Sequence, residues 1–365
     1  MKKIRVLVVD DSALMRKMIP YILGSDPEIE VVGTAMDGLF ALKKIEVLKP
    51  DVITLDINMP RMDGIDTLRH IVEDFGTPAI ILSSLTNKDA ELTLQALEIG
   101  AFDFVTKPQD AVSVHIQEIG VELIEKVKSA FANPQARFKL KKVRPATVKK
   151  KTEPLFLRNP ADRVLAIGVS TGGPNALSYL LPQIPADFPA AILIVQHMPP
   201  GFTKMFAMRL DSTCAIEVKE AADGDIVLPG RALIAPGDYH LKVKRMPQGT
   251  IVVLSKSPPV SSHRPSADVL FRSVAAEYGS SATGLIMSGM GSDGAEGIGE
   301  IMVQGGLTVA QDERTCVVFG MPKAAIEMNH IGKVLSLDSM AGFLISHFKM
   351  EQEACTDASC VQRQA

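Results

Sequence analysis

Short apolar runs alternate along most of the chain with longer segments whose apolar residues recur at helical spacing. In the first part, residues 4–9 precede 13–23, 29–32 precede 39–48, 52–55 precede 65–73, 79–82 precede 90–99, and 102–105 precede 112–131. Each pair reads as a strand and a helix, with Ser12 placed to cap the first helix. Five such units in succession predict a parallel sheet with helices on both faces and right-handed crossovers.

The pattern lapses after residue 131 and resumes near 164. Residues 164–169 read as a strand, 174–181 as a helix and 191–196 as a strand; 267–278 and 295–303 read as helices, 283–287 and 307–310 as strands. The stretch 216–255 reads as short strands joined by Gly/Pro turns, a β-rich insertion. The expected division is a first domain over 1–131, a linker over 132–160, a second α/β domain over 161–348, and a polar tail over 349–365 without stable structure. A length of 365 residues suits two domains.

Charge sharpens that division. Between Arg137 and Arg158 there are nine Lys/Arg and one acid, Glu153, against a net charge of −3 for the whole chain. The stretch reads as an exposed tether. Outside it the chain is net acidic, there is no Trp, and no helix-turn-helix pattern is visible, so a nucleic-acid partner is not expected. Asp10 and Asp11 end the first apolar run too early for a signal sequence, and no run is long enough to span a bilayer. A cytoplasmic protein is expected, without membrane insertion. Cys214 and Cys316 sit in apolar segments, Cys355 and Cys360 in the tail, with neither zinc-site nor disulfide spacing.

Ligands of parallel α/β sheets sit beyond the C-terminal strand ends. In the first domain those ends carry Asp10 and Asp11, Asp56, Ser83 and Lys107. Converging carboxylates repel and call for a hard cation with oxygen ligands, which suits Mg²⁺. Asp56 is placed to accept a phosphoryl group as an aspartyl-phosphate, with Lys107 as fixed positive charge and Ser83 as hydroxyl donor. The segments VVDDS (8–12), LDINMPRMDG (55–64), Ser83-Ser84 and VTKP (105–108) resemble the receiver domain of two-component response regulators. That resemblance implies a flavodoxin-like fold and a phosphoryl group taken by Asp56 from a histidine kinase. It also implies Mg²⁺ held by Asp11, Asp56 and the backbone carbonyl of Asn58 with Asp10 assisting through water, and a cis Lys107–Pro108 bond. Phe104 stands where such domains often carry an aromatic switch residue, and core packing is an equally good reason for a Phe there.

In the second domain Ser170-Thr171-Gly172-Gly173-Pro174 follows a strand and opens a helix. Glycines allow a tight turn, and a helix N-terminus favours developing negative charge, as a nucleophile needs. Gly168, Ser170 and Gly172 match G-x-S-x-G by letter, while dinucleotide and P-loop fingerprints are absent. His197 follows the next strand, and Asp293 lies in the glycine-rich loop 288–294 after another; the three share one sheet edge and can form a triad. The order Ser…His…Asp differs from that of α/β-hydrolases. His240 and His263 are rival bases, and His263 sits in a Ser/Pro-rich loop that fixes its position less.

The segments AIGVSTGGP (166–174), IVQHMPPGFT (194–203), IAPGDYHL (234–241), HRPSADVLF (263–271) and MSGMGSDGA (287–295) resemble the catalytic domain of the chemotaxis protein-glutamate methylesterases, the CheB family. The resemblance implies a Rossmann-like domain with Ser170 as nucleophile, His197 as base, Asp293 as orienting acid, and Thr171 and Met290 lining the oxyanion region, with no cofactor for the hydrolysis. It implies methyl-ester hydrolysis and glutamine deamidation on chemoreceptor cytoplasmic helices. The fold expected is thus α/β throughout, two doubly wound parallel-sheet domains. A tether of roughly 30 residues gives a reach of about 30 Å and a high effective concentration. The receiver is therefore expected to cover the esterase cleft until Asp56 is phosphorylated, with direct activation across an interface as the alternative. A response regulator whose second domain only binds, and a scaffold with an inactive esterase domain, are the competing readings.

Overall fold

The computed structural model describes residues 3–84, 86–107, 115–133 and 160–362. The basic stretch 137–158 and the Lys107–Pro108 bond expected to be cis lie outside the described residues. The chain divides into two compact units, Met1–Lys139 and Leu140–Ala365.

The first unit alternates β1 (Ile4–Val9), α1 (Met15–Leu23), β2 (Ile29–Ala35), α2 (Gly38–Leu48), β3 (Val52–Asp56), α3 (Gly64–His70), β4 (Ala79–Ser83), α4 (Asn87–Ile99), β5 (Asp103–Thr106) and α5 (His115–Ala132). The strands form one parallel sheet in the order β2-β1-β3-β4-β5. They read as continuous apolar runs because helices cover both faces; every residue of β3 and β4 is buried. Asp37, Asp63 and Thr86 cap α2, α3 and α4 by accepting the N–H of Phe40, Asp66 and Asp89. The first helix starts two residues later than expected. The Ser12 N–H donates to Asp10 Oδ1 at 2.9 Å, which holds that residue in the loop after β1, and the Ser12 hydroxyl accepts only a long 3.4 Å bond from Met15.

The second unit runs β6 (Val164–Val169), α6 (Gly173–Leu180), β7 (Ala191–Gln196), α7 (Phe202–Thr213), β8 (Glu217–Glu220), β9 (Arg231–Ile234), β10 (His240–Met246), β11 (Gly249–Ser255), α8 (Ala267–Tyr278), β12 (Ala282–Ile286), α9 (Ala295–Val303), β13 (Leu307–Gln311), α10 (Met321–Glu327), β14 (Lys333–Leu335) and α11 (Leu337–Gln362). Seven strands form a parallel sheet in the order β14-β13-β12-β6-β7-β9-β8. The expected β-rich insertion is thereby corrected in part. Of its four strands, β8 and β9 extend the main sheet in parallel, and only β10 and β11 form a separate antiparallel hairpin. The hairpin is tied to α8 where Val243 N–H donates to Ser273 Oγ and Arg245 N–H to Glu277. The tail differs too, since α11 continues to Gln362 where no regular structure was expected.

In both sheets the chain starts in the middle and winds outward in two directions. The reversal falls between β1 and β3 in one and between β6 and β12 in the other, and strand ends at such a reversal splay apart to leave a crevice.

Candidate functional site

The crevice of the first sheet collects charge. Asp10 follows β1 and Asp56 ends β3; both are buried, while Asp11 is exposed. Lys107 reaches both buried carboxylates, 2.9 Å from Asp10 Oδ2 and 2.9 Å from Asp56 Oδ1. Burial pushes the Asp56 carboxyl up to about 6 against the pull of Lys107 and the Asn58 N–H. Burial alone would lower Lys107, but Asp56 and Asp10 outweigh it and raise it. Carboxylate oxygens of Asp10, Asp11 and Asp56 lie within 4.8 Å of one another. That oxygen-only set fits a hard divalent cation.

Asn58 N–H donates to Asp56 Oδ1 at 3.3 Å, and its amide donates to Asp89 Oδ1 at 2.7 Å, tying the loop after β3 to the first turn of α4. Ser83 ends β4, and its hydroxyl accepts from Thr93 at 2.7 Å. Gly64 permits the approach of α3, since a Cβ there would lie 2.1 Å from the Asp56 carbonyl oxygen. Phe104 is buried in β5, and the Lys126 ammonium donates to its carbonyl and lies over its ring.

In the second sheet β6 delivers Ser170 and β7 delivers His197. These strands are neighbours, and the His197 N–H donates to the Val169 carbonyl at 3.2 Å. The Ser170 N–H donates to the Ser288 carbonyl at 3.0 Å, which joins the end of β6 to the loop after β12. Gly172 takes φ +77°, where a side chain would be strained, and its missing Cβ leaves room for Val317. Helix α6 then starts at the next residue, with Pro174 in its first turn.

His197 is nine-tenths buried. Its Nε2 lies 2.8 Å from Asp293 Oδ2, and its Nδ1 is buried without a hydrogen-bond partner. Asp293 is fully enclosed. It accepts the Ser266 hydroxyl at 2.6 Å, the Ala267 N–H at 2.6 Å and the Asp268 N–H at 3.3 Å, so it sits on the N-terminus of α8. Burial alone would raise its carboxyl. The His197 bond, the Ser266 hydroxyl and the Ala267 N–H overcome that and hold it down to about 2. An ionised Asp293 on Nε2 leaves Nδ1 as the basic nitrogen of a neutral His197.

The rival bases separate cleanly. His240 is buried with both nitrogens engaged, Nε2 donating to the Pro258 carbonyl and Nδ1 accepting the Ser266 N–H. His263, expected in a loosely fixed loop, instead lies face to face with His197, ring centroids 3.8 Å apart and planes 12° apart. Nitrogen lone pairs lie in the ring plane, so two parallel rings do not converge on a shared metal; the pair is a stack.

Sequence reasoning missed three residues. Gln196 ends β7, and its amide donates to the carbonyls of both Ser170 and His197 at 3.1 Å. The Ser288 hydroxyl donates to the Thr171 carbonyl and accepts the N–H groups of Val317 and Val318. Ser266 holds Asp293. A Gln closing an otherwise apolar strand was the one visible signal; the two serines carried none. Thr171 is buried beside Ser170, and Met290 lies in the loop that also carries Asp293.

Residues 165–344 match the family model described as CheB methylesterase, and residues 6–117 match that of the response regulator receiver domain. A protein-glutamate methylesterase/protein-glutamine glutaminase of Koribacter versatilis is 56% identical over 94% of this chain and 95% of its own length. The chain belongs to the CheB methylesterase family. A second CheB-family relative, from Pyrococcus horikoshii, is 46% identical over 93% of the chain and 92% of its own length. The crystal structure of the Thermotoga maritima CheB methylesterase catalytic domain is similar at 45% identity and a TM-score of 0.50, covering 50% of this chain and 97% of that one. The receiver match falls on the first of the two sheets described above and the methylesterase match on the second. Among the described residues no helix is long and apolar enough to cross a membrane.

Proposed function

We propose that this chain is a receiver-controlled protein-glutamate methylesterase and protein-glutamine glutaminase that acts in the cytoplasm on chemoreceptor helices during chemotactic adaptation. The observation that carries the reading is the His197 ring, with one nitrogen on Asp293 and the other buried and unpartnered, on the strand end adjacent to that of Ser170.

Ser170 Oγ attacks the γ-carbonyl carbon of a glutamyl methyl ester as its proton passes to His197 Nδ1. The negative charge on the carbonyl oxygen develops beside Thr171 and Met290, near the start of α6. Collapse breaks the carbon–methoxy bond, and His197 returns the proton to release methanol, or ammonia where the substrate is a glutamine. Water, deprotonated by His197, then splits the acyl-serine to give the glutamate carboxylate and free Ser170. No cofactor enters these steps.

In the receiver, Asp56 is the phosphoacceptor for a histidine kinase, with Lys107 and Ser83 at the phosphoryl oxygens. Asp10, Asp11, Asp56 and the Asn58 carbonyl would hold Mg²⁺, which when bound neutralises charge on the transferring phosphoryl group. Phosphorylation of Asp56 raises the esterase rate.

Methanol release from methylated receptor cytoplasmic fragments tests both halves. Release that rises with a small phosphodonor and disappears in Ser170→Ala supports the reading. A fully phosphorylated protein that releases no methanol from any methylated fragment overturns it.

A further inference from the structure

The bond to Asp293 fixes one point of the His197 ring but leaves the ring free to swing about that contact. A second restraint on the ring plane would fix the direction in which the unpartnered Nδ1 points, and the ring of His263 supplies a flat face at 3.8 Å and 12°. His263 is itself held firmly. Its Nδ1 donates to the Ser261 carbonyl at 2.6 Å, because a carbonyl oxygen only accepts. Val260 and His263 exchange both backbone hydrogen bonds across a two-residue turn. The residues of that turn, Ser261 and Ser262, take φ +51° and +64°, a left-handed conformation in which serine carries steric cost. Arg264, next along, is anchored on Asp238 through Nε at 3.0 Å. Strain of this kind persists only where the surroundings over-determine it, and here its effect is to lay one imidazole on another.

We propose that His263 is a positioning residue for the base: its ring clamps the plane of His197 and so sets the direction of Nδ1 for proton transfer from Ser170. The proposal rests on the reading of His197 as base. It assigns His263 no proton transfer of its own. A flat non-titrating ring at 263 therefore does the same work, and a small side chain does not.

The test uses the full-length chain and p-nitrophenyl acetate, with acylation of Ser170 followed by nitrophenolate release and intact mass. In His263→Ala the acylation rate constant should fall about tenfold or more, as expected for a misaimed general base, with the half-saturating ester concentration changed less than twofold. His263→Phe should restore the rate to within about threefold of wild type. Thermal melts of both variants establish that they are folded. His263→Ala acylating at the wild-type rate overturns the proposal, as does folded His263→Phe reacting no faster than folded His263→Ala. A wild-type chain that does not acylate at Ser170 removes the base itself, and the clamp falls with it; that outcome is distinct because it appears before any variant is compared.

Discussion

Asp293 and Asp268 exchange helix N-termini. Asp293, in the loop before α9, accepts the N–H groups of Ala267 and Asp268 at the start of α8, and Asp268 Oδ1 accepts the N–H of Gly297 in the first turn of α9 at 2.6 Å. The two helices are in close apposition there, since a Cβ on Gly297 would lie 2.7 Å from the Asp268 carbonyl oxygen. Each carboxylate meets the positive end of the other's helix. The carboxylate that bonds His197 is thus part of the packing of α8 on α9.

Replacing Asp293 by Asn keeps the shape and one acceptor for the start of α8, but presents an amide N–H to His197 Nε2. The neutral imidazole then carries its proton on Nδ1 and has no lone pair for Ser170. Methanol release in Asp293→Asn should fall on the order of 10³–10⁴-fold in kcat with little change in KM. Because the Asp293 carboxyl is held down to about 2, its stabilising contribution is complete above the ordinary carboxylate range and is lost as pH falls through about 2. Acid melts of Asp293→Asn should therefore lack the part of the wild-type loss that falls in that window.

Asp268 runs the other way. Burial is the largest influence on its carboxyl and raises it, the N–H groups of Gly297 and Gly294 pull it down, and the nearby Asp293 charge adds to the rise. A carboxyl raised by folding is most favourable below the ordinary carboxylate range, and the benefit is lost as pH rises through the folded value. Asp268→Asn retains an acceptor for Gly297 and removes the repulsion, so its melting temperature at pH 7 should equal or exceed wild type. Asp268→Ala should lose about 1–3 kcal/mol by leaving the Gly297 N–H without its acceptor. Equal loss in the two variants would show that the charge is needed there.

The receiver makes a parallel prediction. Asp56 is pushed up to about 6 by burial, so its ionisation in the folded domain opposes stability as pH rises from the ordinary carboxylate range through about 6. Without a divalent cation, Asp56→Asn should be more stable than wild type at pH 8, on the order of 2–3 kcal/mol, and the two should converge below pH 4. Added Mg²⁺ should stabilise wild type far more than the variant. A lower melt for Asp56→Asn at pH 8 would mean that the Lys107 ion pair outweighs the cost of burying the charge.

How much of this the residues announced depends on whether the signal is local. Strands buried on both faces read as unbroken apolar runs, so β6 and β7 match their expected bounds, and with them the positions of Ser170 and His197 at adjacent strand ends. Asp10, Asp56 and Lys107 were legible for the same reason. The edge strands were not. β8 (EVKE) is charged at three of its four positions because it has one neighbour only, so its parallel pairing with β9 looks from sequence like part of a separate β-rich piece. The contacts that shape the site are longer in range still. Ser266 reaches Asp293 across 27 positions and Ser288 reaches Thr171 across 117, and neither serine differs in local pattern from any other loop serine. The His263 stack depends on a left-handed Ser-Ser turn, which composition alone would have assigned to Gly or Asn.

Gly173 tests whether the backbone behind Ser170 matters as much as the proposed triad. A Cβ at this position would lie 2.0 Å from Gln196 Oε1 and 2.7 Å from Val169 Cγ2. The same Gln196 amide donates to the carbonyls of Ser170 and His197, so displacing it loosens both residues together. The conformation of Gly173 itself is helical, so Gly173→Ala brings no backbone penalty, and alanine favours the helix. What changes is the aim of the Ser170 turn, and misplacement of about 1 Å can cost on the order of 10²-fold in rate. Gly173→Ala should therefore lose methanol-releasing activity well out of proportion to any fall in melting temperature. Gln196→Ala in the same background clears the collision with Gln196 but removes the amide that bridges the Ser170 and His197 carbonyls, so it should not restore the rate. Recovery in that double variant would show that the collision alone, and not the lost bridge, had disabled the site.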